Sequence, residues 1–249
     1  MTTEVLIAPA KLTLSLRITG RRPDGYHLLE AEMVTLELAD RLVVEPGEGL
    51  TVVDAGAGIT ANPGGPARSV HVPAGGENLV ARALDLVGCR ARVTLHKSIP
   101  AGAGLGGGSA DAAAILRWAG FDDARRAAEL GADVAFCLVG GRARVGGIGE
   151  IIEPLAFERR TFTLCSPPFG CSTAAVYRAW DDLGGPVGPA GNDLEAAALA
   201  VEPRLAGVRD TLAEATGQRP RLAGSGSTWF VEGAHPAPDR RVVQTTPSL

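Results

Sequence analysis

Apolar and polar residues alternate strictly over Leu12-Thr13-Leu14-Ser15-Leu16-Arg17-Ile18, the period of a half-buried strand. Glu4 to Ala8 predicts another strand before it, with Pro9-Ala10-Lys11 as a break between the two. Glu32 to Leu38, Arg41 to Glu45 and Leu50 to Asp54 read as strands of an antiparallel layer, and Ala55 to Pro66 as a Gly/Pro-rich loop. The period then lengthens: after Gly75-Gly76-Glu77-Asn78, residues Leu79, Ala83, Leu86 and Val87 fall on one face of a helix. Ala91 to His96 is strand-like and Ala110 to Leu116 helix-like, while Gly140 to Val145 and Glu150 to Glu153 predict a closing hairpin.

Pro154 marks a domain boundary. Beyond it come a strand at Thr161 to Cys165, helices over Ala174 to Asp182, from Asn192, and over Glu202 to Thr216, then strand pieces Arg221 to Ala223 and Thr228 to Val231 around Gly224-Ser225-Gly226-Ser227. From Ala234 onward no period is visible, so 234–249 reads as a flexible tail. At this length the chain suits one large domain or two modest ones, the latter divided at Pro154.

Composition narrows the class. The 249 residues are 45% hydrophobic, enough for a packed core, and 33 glycines with 17 prolines imply many tight turns. A net charge of −4 argues against nucleic acid as a partner. Cys89, Cys137, Cys165 and Cys171 lack C-x-x-C spacing and the four histidines are scattered, which predicts buried reduced thiols rather than a zinc site or disulfide frame. There is no apolar run of about 18 residues and no basic leader before Glu4, so the expectation is a cytoplasmic protein with no membrane partner.

The candidate chemistry starts at Ile99-Pro100-Ala101-Gly102-Ala103-Gly104-Leu105-Gly106-Gly107-Gly108-Ser109-Ala110, between a strand and a helix. Glycine lets main chain approach a ligand, and the free N–H groups of a helix's first turn favour phosphate. Gly102, Gly104 and Gly107 satisfy the dinucleotide-binding spacing, but no second strand ending in an acid follows. Gly102, Gly107 and Ser109 fit the Walker spacing, except that Gly108 stands where the lysine is required. The His-Arg-Asp and Asp-Phe-Gly strings of a protein kinase are absent. A phosphate loop without its lysine needs a cation from elsewhere, which draws attention to Lys11, otherwise a solvated charge at a strand start. Asp133, inside the apolar run Val134-Ala135-Phe136, caps a helix, pairs with a cation or is in use. Tyr26 and His27, ending the turn Gly20 to Gly25, either grip a planar ligand or divide into a packed Tyr26 and an exposed His27.

Pro9-Ala10-Lys11, the Pro100 to Ala110 loop and Gly224-Ser225-Gly226-Ser227, in this order, resemble the three motifs of the GHMP small-molecule kinases. With Arg22-Pro23-Asp24-Gly25-Tyr26-His27 and Gly131-Ala132-Asp133-Val134 the chain is most similar to the branch acting on a methylerythritol that carries cytidine diphosphate, in non-mevalonate isoprenoid synthesis. The resemblance implies a two-domain α+β GHMP kinase fold, with domains 1–154 and 155–233 and the site in the cleft between them, ATP as donor, Mg²⁺ as its companion and a tertiary 2-hydroxyl as acceptor. It implies Asp133 as the catalytic base and Lys11 as its charge-stabilising neighbour, with Pro100, Ala101, Gly102, Ala103, Gly104, Leu105, Gly106, Gly107, Gly108, Ser109 and Ala110 cradling the phosphates. Ser109 would stand near the metal, and Lys97 and Asn78 would line the adenosine side. Tyr26 and Tyr177 would sandwich the cytosine while His27 reads its edge, and Thr173 and Thr13 would contact the substrate, Thr13 standing where relatives carry an asparagine. The expected assembly is a monomer or weak homodimer.

Overall fold

The computed structural model describes residues 2–54 and 75–248; the loop expected at Ala55 to Pro66 lies outside them. The long hairpin β1 (Glu4–Arg21) and β2 (His27–Glu45) forms its spine, joined by a turn in which Arg22 N donates to Tyr26 O at 2.8 Å. Pro9-Ala10-Lys11 does not break β1. Proline has no N–H to give a ladder, and the strand accommodates it with a register shift between Pro9 and Lys11. That bulge frees the Lys11 N–H, which donates at 3.0 Å to Leu105 O in the glycine loop.

β3 (Gly49–Asp54) pairs in parallel with β4 (Arg92–Lys97), so the layer expected to be purely antiparallel is mixed. α1 (Leu79–Leu86), α2 (Gly107–Trp118), α3 (Ala124–Ala127) and α4 (Ala132–Val139) follow, then the expected hairpin β5 (Arg142–Gly147) and β6 (Ile151–Pro154). The sheet runs β3-β4-β2-β5-β6, with β1 on the other side of β2. β4 pairs with residues 41–45 of β2 and β5 with 29–34. Residues 35–40 between them have neither neighbour in the ladder. The helices bury Val80, Ile115 and Phe136 against Met33, Leu42, Val93 and Leu95.

Beyond residue 155 a second sheet forms from β7 (Thr161–Cys165), β8 (Arg221–Leu222), β9 (Trp229–Glu232) and β10 (Arg241–Gln244), in the order β10-β7-β9-β8. α5 (Thr173–Asp182), α6 (Glu195–Val201) and α7 (Leu205–Thr216) pack on it around Val176, Leu205 and Trp229. The flexible tail expected over 234–249 is therefore corrected: four of its residues pair with β7 and Val243 is buried. Thr245 then bridges to Leu36, inside the gap of β2, and Ser248 bridges to Gly140. Leu12, Leu36, Ile99 and Leu105 share a core with Phe162, Leu164, Phe230 and Val243, so the two sheets are held by common apolar packing. All four cysteines are free thiols, three buried and Cys89 half-buried. No helix among the described residues is long and apolar enough to cross a membrane.

Candidate active site

The glycine loop joins β4 to α2 where the two sheets meet. Gly102, Gly104 and Gly106 adopt left-handed φ values of +64°, +75° and +69°, which only glycine takes without strain. The close approaches are as decisive: a Cβ on Gly104 would lie 2.1 Å from Ala223 O, and one on Gly106 would lie 2.7 Å from Lys11 Cγ. The loop is clamped by Cys171 N, donating to Gly102 O at 3.2 Å, and by Thr228 N, donating to Ala103 O at 3.1 Å. α2 begins at Gly107, earlier than the apolar pattern places it, with Gly106 as a cap that has no side chain. Its first-turn N–H groups, on Gly107, Gly108 and Ser109, form no hydrogen bond among the described residues and are available to an anion.

Beneath the loop, Lys11 is 4% exposed. Its Nζ lies 3.1 Å from Asp133 Oδ2 and donates to Thr13 Oγ1 at 3.0 Å. Asp133 does not cap α4; Gly131 holds the cap position, and Asp133 sits in the first turn, where the helix dipole favours an acid. Of its three readings, pairing with a cation is the observed one. Cys137, one turn along α4, has its thiol pushed up to about 12 by burial and then by Asp133, so it stays protonated and inert.

Lys97, expected on the adenosine side, borders the cavity and is also paired within the protein. Its ammonium donates to Asp111 Oδ2 at 2.7 Å and to Asp40 Oδ2, all three side chains being at most 7% exposed. Asp40 Oδ1 also accepts from Ile99 N at 2.8 Å and from Ser98 N, fixing the entry to the glycine loop. Burial opposes the Lys97 charge, but the two carboxylates outweigh it and hold the ammonium protonated. Burial pushes the Asp111 carboxyl up to about 7 against the pull of Lys97, and its Oδ1 has no partner among the described residues. Asn78 caps α1, its Oδ1 accepting from Val80 N at 2.9 Å.

A cavity of about 1030 Å³ runs from Asn78 and Lys97, past the loop, Lys11, Thr13 and Asp133, to Tyr26, His27, Thr173 and Tyr177. Leu105 and Ala110 are the exceptions among the expected loop residues. They are 1% exposed and packed into the two cores, and do not line the cavity. At the far end His27 lies against Tyr177, ring centroids 5.0 Å apart and planes at 30°, with Trp180 edge-on at 5.5 Å. Its Nε2 meets Asp181 Oδ1 at 2.8 Å. Tyr26 is 61% exposed at the rim. Burial, and after it Asp133, pushes the Tyr177 hydroxyl upward, leaving it a neutral donor. Thr173 Oγ1 shares a 2.9 Å hydrogen bond with Ser225 Oγ, linking α5 to the third glycine motif.

Comparison with known proteins decides the family. The description "GHMP kinases N terminal domain" matches residues 78–141. The 4-diphosphocytidyl-2-C-methyl-D-erythritol kinase of Paracoccus denitrificans (strain Pd 1222) is 40% identical over 244 residues, covering 90% of this chain and 84% of that one. The chain belongs to the 4-diphosphocytidyl-2-C-methyl-D-erythritol kinase family. The enzyme of Cereibacter sphaeroides (strain ATCC 17025 / ATH 2.4.3) is 37% identical over 265 residues, covering 95% of this chain and 92% of its own. A crystal structure of 4-(cytidine 5'-diphospho)-2C-methyl-D-erythritol kinase superimposes with a TM-score of 0.74 at 33% identity, over 97% of this chain and 99% of that one. The two-domain α+β GHMP kinase fold is thus the fold of this member of the 4-diphosphocytidyl-2-C-methyl-D-erythritol kinase family.

The structure adds site residues that sequence patterns did not single out. Arg21, Arg178 and Asp181 line the cavity near His27, and Asp40 and Asp111 hold Lys97. Asp40 carried no signal: beside Arg41, between the expected strands Glu32 to Leu38 and Arg41 to Glu45, it reads as an ordinary polar turn. Arg178 and Asp181 sit on an amphipathic helix whose polar positions look like any solvated face.

Proposed function

We propose that this chain transfers the terminal phosphoryl group of ATP to the 2-hydroxyl of 4-diphosphocytidyl-2-C-methyl-D-erythritol, a step of non-mevalonate isoprenoid precursor synthesis. The observation that carries the reading is the Lys11–Asp133 pair at 3.1 Å, set beside an anion-binding loop in a cavity that continues to the rings of His27 and Tyr177.

Phosphoryl transfer asks little covalent chemistry of a protein; positioning and charge stabilisation supply most of the rate. The N–H groups of Gly107, Gly108 and Ser109 hold the phosphates at the positive end of α2. Asp133 orients the acceptor hydroxyl and takes its proton, while the Lys11 ammonium stabilises both that carboxylate and the charge spreading over the transferred group. Thr13 Oγ1 accepts from the Lys11 ammonium at 3.0 Å and holds it as a neutral partner that does not cancel its charge. Tyr177 and Tyr26 offer ring faces to the base, and Arg178, exposed and lacking an ion-pair partner among the described residues, offers charge to the diphosphate.

The residues fit a Mg²⁺ ion carried by the nucleotide. No group of three or more His, Cys, Asp or Glu side chains that could cage a metal occurs among the described residues, and Mg²⁺ typically takes phosphate oxygens, water and one or two protein oxygens. Ser109 Oγ is the protein oxygen we assign to it, and the ion would neutralise the phosphates during transfer.

The test is a coupled assay of ADP release with purified protein, ATP, Mg²⁺ and the diphosphocytidyl substrate. Turnover with that substrate and none with mevalonate or homoserine is expected. No ADP above background from folded protein sinks the proposal.

A further inference from the structure

His27 is held from three sides: by the face of Tyr177, by the edge of Trp180, and by Asp181, whose Oδ1 lies 2.8 Å from its Nε2. A carboxylate has no proton to donate, so Nε2 must carry the hydrogen of that bond. In the neutral ring Nδ1 is then a bare acceptor. Nδ1 has no hydrogen-bond partner among the described residues, and His27 lines the cavity. Arg21 Nη1 lies 3.5 Å from the second oxygen of Asp181, so the carboxylate has a counter-charge that does not depend on a protonated imidazole.

The position of Asp181 is not explained by its own helix. It falls in the last turn of α5, at the negative end of the dipole, beside another acid and with no basic residue in that turn. Its interactions point across the turn to β1 and β2, to Arg21 and His27.

We propose that Asp181 is a positioning residue that sets selectivity for cytosine over uracil by holding His27 in the Nε2–H tautomer. The inference rests on the diphosphocytidyl reading above. The two bases differ at C4, where cytosine carries an amino donor and uracil a carbonyl acceptor. A bare Nδ1 accepts from the amino group; against the uracil carbonyl it sets lone pair against lone pair. The other tautomer reverses the preference, so the protein must fix the ring's protons as well as its place.

The experiment compares kcat/KM for the cytidine substrate and its uridine counterpart in the wild type and in Asp181→Leu, with ¹⁵N spectroscopy of histidine-labelled full-length protein. A wild-type preference of about 100-fold or more is expected, falling at least about tenfold in Asp181→Leu, because a mismatched polar group is penalised only while the site holds its partner rigidly. Asp181→Asn, which keeps an oxygen to accept from Nε2–H, should hold the ratio within about threefold. The His27 spectrum should show a protonated Nε2 and bare Nδ1 in the wild type and mixed tautomers in Asp181→Leu. A selectivity ratio that ignores residue 181 in an active enzyme, or a wild-type Nδ1–H ring, overturns the inference. Folded wild-type protein that phosphorylates neither substrate overturns the functional reading itself, a separate result.

Discussion

Asp133 is one-third exposed to the cavity while its partner Lys11 is largely buried at the cavity wall, so the carboxylate is the more open member of the pair to an acceptor hydroxyl. Asp133→Asn keeps the shape and removes the proton acceptor. Turnover is expected to fall by about 10²- to 10⁴-fold, the usual worth of a positioned base, with the nucleotide Kd from calorimetry unchanged; equal losses in both would refute the role. Lys97 tests a different idea. Lys97→Met leaves Asp40 and Asp111 buried without their cation, and breaking such a pair typically costs about 3–5 kcal/mol. Urea unfolding should show that loss; unchanged stability would refute the structural weight given to the cluster. Residue types were readable from the chain, since an acid in an apolar run and an unmatched phosphate loop both asked for partners. Who pairs with whom was not, because Lys11 reaches Asp133, and Lys97 reaches Asp40, only through sheet pairing and helix packing.

At the level of elements, the strands and helices between residues 161 and 232 follow their hydrophobic periods closely, and β7 spans the stretch its pattern predicts. β1 and α2 depart for local reasons. A proline inside a strand reads as a break when the compensating bulge is invisible, and glycines at a helix start read as loop because they carry no apolar period. The loop itself gives a paired test. Gly104→Ala places a Cβ at 2.1 Å from Ala223 O at a φ of +75°, and is expected to cost about 1–3 kcal/mol and most of the turnover. Gly108→Ala meets only Leu79 Cδ1, at 3.7 Å, on regular helix, and should leave the melting temperature at or above that of the wild type. Calorimetric melts of the two variants decide it.

For the whole molecule, the two sheets meet along one apolar layer, and the first sheet, α5 and the loops between them line a single cavity. The tail was illegible because Arg241-Val242-Val243-Gln244 is a short piece between polar flanks; its register comes from β7, not from its own pattern. Removing residues 241–249 uncovers Val243's place in that shared layer, and a loss of at least about 2 kcal/mol is expected from that burial alone. Thermal melts together with faster amide exchange in β7 would show it; unchanged protection would return the segment to a mere appendage.

The tie from Thr245 to Leu36 also bears on how the chain is made. β1 and β2 are neighbours in sequence and can zip together early, but the stretch of β2 between β4 and β5 waits for Thr245, which comes far later along the chain. During synthesis that waiting edge is a place where a nascent copy is open to chaperones and to its neighbours, and it closes only when residues 241–248 emerge.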